Sequence, residues 1–316
     1  MSTTMYKTPQ EIVRLLIRRK LIVHDQAFAE KTIEENSYFS LQQYADLFVV
    51  NEKREFDGKT DFNDIVTLYE FDRDLKVLLL HELLGIESKI KTAMGETVSK
   101  RYGTSESDYL NPAIFNPQYA AYVPKTIRKI RSQKRLYGRT NPNLIYFRTH
   151  HRGIIPFWVL SRVITIGAVR DYFNILKPSD QDAIARTVMT NPSLRHRGKK
   201  LKQMIAMLAD VRNMCAHDDM LVGFAHRRID IGVFPEQMAL ELKVDDRGSP
   251  IQGKKDFTAI LICIRNLVDP RHFDVFMGKL IQMIGALSLS IPGKTEAELI
   301  DYIGLPRNYA ALQHFR

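Results

Sequence analysis

Cysteine is scarce. Cys215 and Cys263 are the only two in a chain of 316 residues. Two thiols build neither a disulfide framework nor a four-ligand zinc site, so they read as free thiols in a reducing compartment. No uninterrupted apolar run reaches the roughly 18 residues of a membrane-spanning helix, so neither a span nor a membrane partner is expected. The opening "MSTTMYKTPQEIVRLLIRRK" lacks an apolar core followed by a small-residue cleavage site. It does not read as a secretory signal, and a cytoplasmic location is the default expectation. There is no low-complexity linker, no internal repeat, and no cluster of carboxylates suited to two catalytic metals. Tryptophan occurs once, as Trp158, and its large area predicts a place in the core. Acid is also short. Thirty-six Asp and Glu face 46 Lys and Arg, for a net charge of +10. Such a surplus favours polyanions, nucleic acid or an anionic membrane surface. No helix is both basic on one face and strongly aromatic on the other, which argues against the membrane.

The length fits one large domain or two small ones. A hydrophobic share of 45% suffices for a sizeable core. The periodicity predicts a mainly α fold. Thr8, Pro9 and Glu11 form a helix-start signature before an amphipathic helix over 8–20. Two more helices are expected over 25–36 and 40–50. The longest is expected over 61–102, where Phe71, Leu75, Leu78, Leu79, Glu82, Ile86 and Ile90 repeat at helical steps, with Gly85 and Gly95 as weak points. Residues 103–124 and 140–156 read as irregular. Helices are expected over 157–176, 180–189, 194–220, 255–267, 271–289, 295–303 and 307–314. Within 227–245, "RRIDIGVF" and "LELKVDD" suit a small β-hairpin or an irregular lobe.

The stretch "DVRNMCAHDD" (210–219) carries Arg212 and His217 in the R-x-x-x-x-H spacing. Spacing alone is weak, since Arg19 and His24 match it too at an apparent helix end. Arg212 differs in context, because it borders an apolar face of Leu201, Ile205, Leu208, Val211 and Cys215. On one helix His217 would lie about 140° round from Arg212, whereas Asn213 and His217 would share a face. Such a pair makes sense if each group completes a site with another helix or a second copy. The chemistry suits RNA cleavage. His exchanges protons near neutral pH, Arg stabilises a phosphorane, Asn orients either group, and no metal or other cofactor is required. The same spacing also fits a solvated helix end in which Arg212 and His217 pair with Asp210, Asp218 or Asp219.

Four segments, in order, resemble the bacterial abortive-infection family of the Abi-D/F type. They are "YKTPQEIVRLLIRRKLIV…NSYFSLQQYADLF" (6–48), "VTLYEFDRDLKVLLLHELLGIESKIKTAM" (66–94), "IPFWVLSRVITIGAVRDYF" (155–173) and "RNMCAHDDML" (212–221). The resemblance covers about residues 5–225. That family looks like a branch of the HEPN superfamily. The resemblance therefore implies a HEPN-like helical bundle, often dimeric, with an R-x-x-x-x-H ribonuclease motif and a role in phage defence. The motif falls on Arg212, Asn213 and His217. This chain departs just afterwards, reading "DDMLVGF" where relatives commonly continue with an Arg–Leu–Trp–Asn-like stretch. The expected organisation is a helical domain over 1–225, with an N-terminal extension of about 1–55, and a mostly helical extension over 226–316.

Other features bear on RNA. "KTIRKIRSQKRLYGR" (125–139) has seven positive charges and no acid. Lys125, Arg128, Lys129, Arg131, Lys134, Arg135 and Arg139 could track phosphates, or simply form a solvated basic helix. "RHRGKK", with Arg195, Arg197, Lys199 and Lys200, precedes the motif helix and could steer RNA toward His217. "RTHHR" (148–152) is a poor metal pair, because adjacent histidines point apart. Glu87, on the long helix, either orients Arg212 or makes an ordinary interhelical ion pair. The leading expectation is a metal-independent endoribonuclease of phage defence, acting on RNA as a homodimer. The alternatives are a non-cleaving module that binds a structured RNA and regulates defence, and a helical protein-interaction scaffold.

Overall fold

The computed structural model describes residues 6–217 and 219–315. These form fifteen α-helices and four 3-10 turns, with no strand among the described residues. The first layer is α1 (Pro9–Arg18), α2 (Gln26–Asn36) and α3 (Tyr38–Ala45). The axis of the molecule is α4 (Phe62–Tyr102), 41 residues and about 60 Å long. Next come α5 (Glu106–Tyr109), 3-10 turns at Pro112–Ile114 and Pro117–Tyr119, α6 (Val123–Tyr137) and α7 (Pro142–His150). Then follow α8 (Phe157–Val163), α9 (Ile166–Ile175), α10 (Pro178–Val188) and α11 (Arg197–Ala216). A mostly irregular stretch leads to α12 (Phe257–Arg265), α13 (Pro270–Ser290), α14 (Glu296–Ile303) and α15 (Ala311–His314).

Local chemistry explains the starts. The Thr8 hydroxyl accepts from the Glu11 N–H, and the Glu11 carboxylate accepts from the Thr8 N–H, the reciprocal box the sequence predicted. Asp61 and Asp64 repeat it at the start of α4. Leu68, Leu75, Leu79, Ile86 and Ile90 of α4 are then buried along one continuous core that runs from Val13 to Leu312. Residues 226–315 pack on that same core.

Several expectations change. α7 occupies part of the supposedly irregular 140–156: Asn141 caps it and Pro142 opens it, a pairing that reads equally as a turn in sequence. The helix expected over 157–176 is two, broken at the β-branched run Val163–Thr165, where Thr165 caps α9. No hairpin forms over 227–245. That lobe holds a 3-10 turn at Pro235–Ala239, and its β-bridges are isolated. The Gln237 amide donates to the carbonyls of Gly232 and Gly253, so side-chain bonds replace a ladder. Trp158 is not core but 40% exposed. α8 docks on α4 through backbone: a Cβ on Gly95 would meet the Trp158 Cα at 2.6 Å. That close approach gives Gly95 its purpose and leaves the indole at the rim. α13 has the length and mean hydropathy of a membrane span, although Lys279 interrupts its apolar run. Phe273, Phe276, Met277, Leu280, Ile284 and Leu287 of α13 are buried in the core, whereas Val275 and Leu289 are exposed.

Candidate functional site

α11 runs antiparallel to α4. Leu201, Ile205, Leu208 and Val211 are buried, as the apolar face predicted. Arg212 meets Leu83, Glu87 and Ile90 of α4. Its Nε lies 3.7 Å from a Glu87 oxygen, too far for a hydrogen bond. The other Glu87 oxygen takes the Lys91 ammonium at 2.7 Å. Glu87 thus sits beside Arg212 but is bound first to Lys91. The Arg212 side chain stays 35% exposed, while its Nε is buried without a hydrogen-bond partner.

His217 is placed differently. α11 ends at Ala216, and His217 is the capping residue with extended backbone, not part of a helix reaching 220. Both His217 and Asn213 are exposed. His217 borders an open cleft of about 580 Å³ with Glu70, Arg73, Asp74, Lys76 and Val77 of α4. Arg212 and His217 therefore face stretches of α4 about 20 Å apart, at 1.5 Å per residue. Asp218 lies outside the described residues. Asp210 does not pair with the motif: it takes Arg170 and His226, each at 3.1 Å. The His226 Nδ1 accepts the N–H groups of Arg228 and Ile229, so its Nε2 carries the hydrogen that faces Asp210. Cys215, beside the motif, is a free thiol. Burial pushes it up to about 12, which removes it as a nucleophile.

A buried clamp fixes the chain just after the motif. Asp72 is fully buried. It accepts from the Tyr44 hydroxyl (2.7 Å) and from the backbone N–H groups of Leu221 and Val222 (3.0 and 2.7 Å). It also pairs with buried Lys76 at 2.8 Å. Sequence reasoning passed over Asp72. The available signal was an acid and a base four residues apart on the apolar stripe of α4. Arg73, Arg227 and Arg228, exposed near the end of α11, were also missed.

The basic segments lie elsewhere. α6 buries Ile127 and Ile130 and exposes Lys125, Arg128, Arg131 and Arg135. It has no acid of its own, but neighbours supply some. Glu106 takes Arg131 at 2.8 Å and Lys134 at 2.6 Å, and Asp171 takes Lys129 at 2.6 Å. Burial raises the Glu106 carboxyl, yet the hydrogen bonds from Lys134 and Arg131 outweigh it and hold it below the usual range. Arg139 falls beyond the helix. It joins Arg135 and Arg148 around one cleft, and Arg128 and Arg135 rim an apolar groove over Phe115, Val123 and Ile127. Arg195, Arg197, Lys199 and Lys200 stand at the start of α11, about 30 Å from His217 along the helix. Arg197 and Lys200 donate to the carbonyls of Pro192 and Val233. Adjacency in sequence is therefore not adjacency in space. The other R-x-x-x-x-H match is solvated: Arg19 caps α1 and His24 is 80% exposed beside Asp61. In "RTHHR", His150 stacks on Tyr146 and His151 on Phe147, so the two rings do diverge.

Fold and site together define an all-helical protein whose motif helix ends in an exposed histidine beside a long central helix. The Abi-like protein family matches residues 31–222, well over half the chain, and the protein belongs to that family. Membership points to abortive infection, a phage-defence response. No curated protein and no solved structure matches the chain.

Proposed function

We propose that the protein is a metal-independent endoribonuclease of HEPN type that acts in abortive infection. The observation that carries this is the state of the motif. His217 is exposed at a helix end held by a buried clamp, and Arg212 stays partly exposed beside Glu87 with an Nε that no hydrogen bond satisfies. Neither arrangement is needed for packing. In the proposed reaction His217 takes the proton of a ribose 2′-hydroxyl, or gives one to the leaving 5′-oxygen. The 2′-oxygen attacks phosphorus and the bond to the 5′-oxygen breaks. Arg212 stabilises the added negative charge on the phosphorane, and Asn213 orients the nucleotide. The products are a 2′,3′-cyclic phosphate and a 5′-hydroxyl. Because Arg212 and His217 diverge, the site is completed by the same motif of a second copy, in a two-fold homodimer. The test is cleavage of RNA in EDTA with analysis of the ends. Cyclic phosphate ends are expected, and a 2′-deoxy nucleotide at the cut site should block cleavage. Metal-dependent cutting of that deoxy substrate would refute the mechanism.

One observation favours a second reading, a non-cleaving module that holds a structured RNA. The basic clefts around α6 are remote from His217. Purified protein that retains a discrete RNA, found by its 260/280 nm ratio and by sequencing, and that cuts no added RNA would support this module over the enzyme.

A further inference from the structure

α4 turns another flank toward the C-terminal helices. There the Lys89 ammonium donates to the Leu267 carbonyl at 2.9 Å, and Glu82 faces α13. The Glu82 side chain is only 5% exposed. Its two oxygens lie 3.0 and 2.9 Å from the Nε2 of His272. His81 stacks on His272 with the rings nearly parallel, 10° apart, and the centroids 6.2 Å apart. One donor atom from each of His81, Glu82 and His272 lies within 4.8 Å of the others. Neighbours on one helix diverge by about 100° and rarely serve one ion. Here they converge because His272 enters from α13 and meets both.

We propose that His81, Glu82 and His272 bind one divalent transition-metal ion, with zinc the best fit, and that the ion staples α13 to α4. Two imidazoles and a carboxylate are a borderline-soft donor set that suits zinc and its neighbours and leaves a fourth position for water. Metal–ligand bonds of about 2.0–2.2 Å put tetrahedral donors about 3.3–3.5 Å apart. The Glu82–His272 pair therefore opens by a few tenths of an ångström. His81, at the surface, closes by about 1 Å through its side-chain torsions. A buried carboxylate also gains a full counter-charge. The ion would tie a helix outside the family match at 31–222 to one inside it. It would lie on the opposite flank of α4 from Arg212, so it has no part in the proposed cleavage.

The experiment uses the untagged full chain, freed of metal by chelator and dialysis. Zinc is titrated by calorimetry and cobalt by visible absorption. The expected result is one equivalent bound, tetrahedral cobalt bands and a melting temperature raised by zinc. His81→Ala and His272→Ala should each weaken binding about tenfold or more. The double variant His150→Ala/His151→Ala should bind as the parent does. His81 is exposed, so its loss leaves the fold intact. No stoichiometric binding by the parent, or binding as tight as the parent's by both His81→Ala and His272→Ala, would overturn the proposal.

Discussion

The two ends of α4 carry different chemistry. Near residues 70–77 lies the end of α11, with exposed His217 in a cleft of mixed charge from Glu70, Arg73, Asp74 and Lys76. Near residues 101–106 lie α6 and the start of α11, with Arg128, Arg135, Arg139 and Arg148 around two clefts. Arg101 and Tyr102 there bind Asp180 of α10. The two ends are about 40 Å apart at the rise of an α-helix. The surplus of positive charge is thus not concentrated on the Arg–His motif. An RNA held at the basic end reaches His217 only if it is long, or if a second copy brings its basic end near. Attraction and chemistry are separable, and variants can separate them.

The largest effect on the fold is expected at the motif end. Asp72→Ala leaves Lys76 buried without its counter-charge and frees Leu221 and Val222, and it should cost about 3–5 kcal/mol in urea unfolding. A loss below about 1 kcal/mol would mean that the clamp is not what fixes the helix end. Gly95→Ala comes next, because its Cβ would meet backbone at 2.6 Å. Overpacking of this kind costs about 1–3 kcal/mol, read by the same unfolding curve. An unchanged midpoint would show that α8 moves aside freely. At the basic end Glu106→Ala should cost about 0.5–1 kcal/mol, since its pairs are half-exposed. The folded Glu106 carboxyl lies below its ordinary value of 4.5. Its contribution is therefore complete above that pH and fades as pH falls through the lowered folded value. A parent-minus-variant stability difference that grows as pH falls would contradict this.

The smallest effect on the fold, but a clear one on binding, is expected from Arg128→Ala/Arg135→Ala. Both side chains are exposed. If each neutralises a phosphate, the slope of log affinity against log salt should flatten by about 1.4–1.8. Cleavage at saturating RNA should not change. An unchanged slope would remove α6 from the RNA path.

Local patterns were legible in the sequence, and pairings across space were not. Thr8 and Glu11 announced α1. The leucine and isoleucine steps announced α4, and the apolar face of α11 placed Arg212 at its border. The end of α11 was not readable, because "CAHDD" holds neither Gly nor Pro to stop a helix. Asp72 looked like any surface acid, since its burial comes from Tyr44 and Leu221, each distant in sequence. Trp158 was misjudged by size alone, because a backbone contact at Gly95 decides where its ring sits. The acid-free run over 125–139 lost three of its free charges to Glu106 and Asp171, which no window around α6 contains.

The most direct measurement is RNA cleavage by His217→Ala beside the parent, in EDTA, with melting curves on the same samples. His217 is exposed, so the melting free energy should shift by no more than about 0.5 kcal/mol. As the general acid or base, its loss should slow cleavage by about 100-fold or more. Cleavage that persists at the parent rate, or a variant that unfolds, would contradict the reading of His217 as a chemical group.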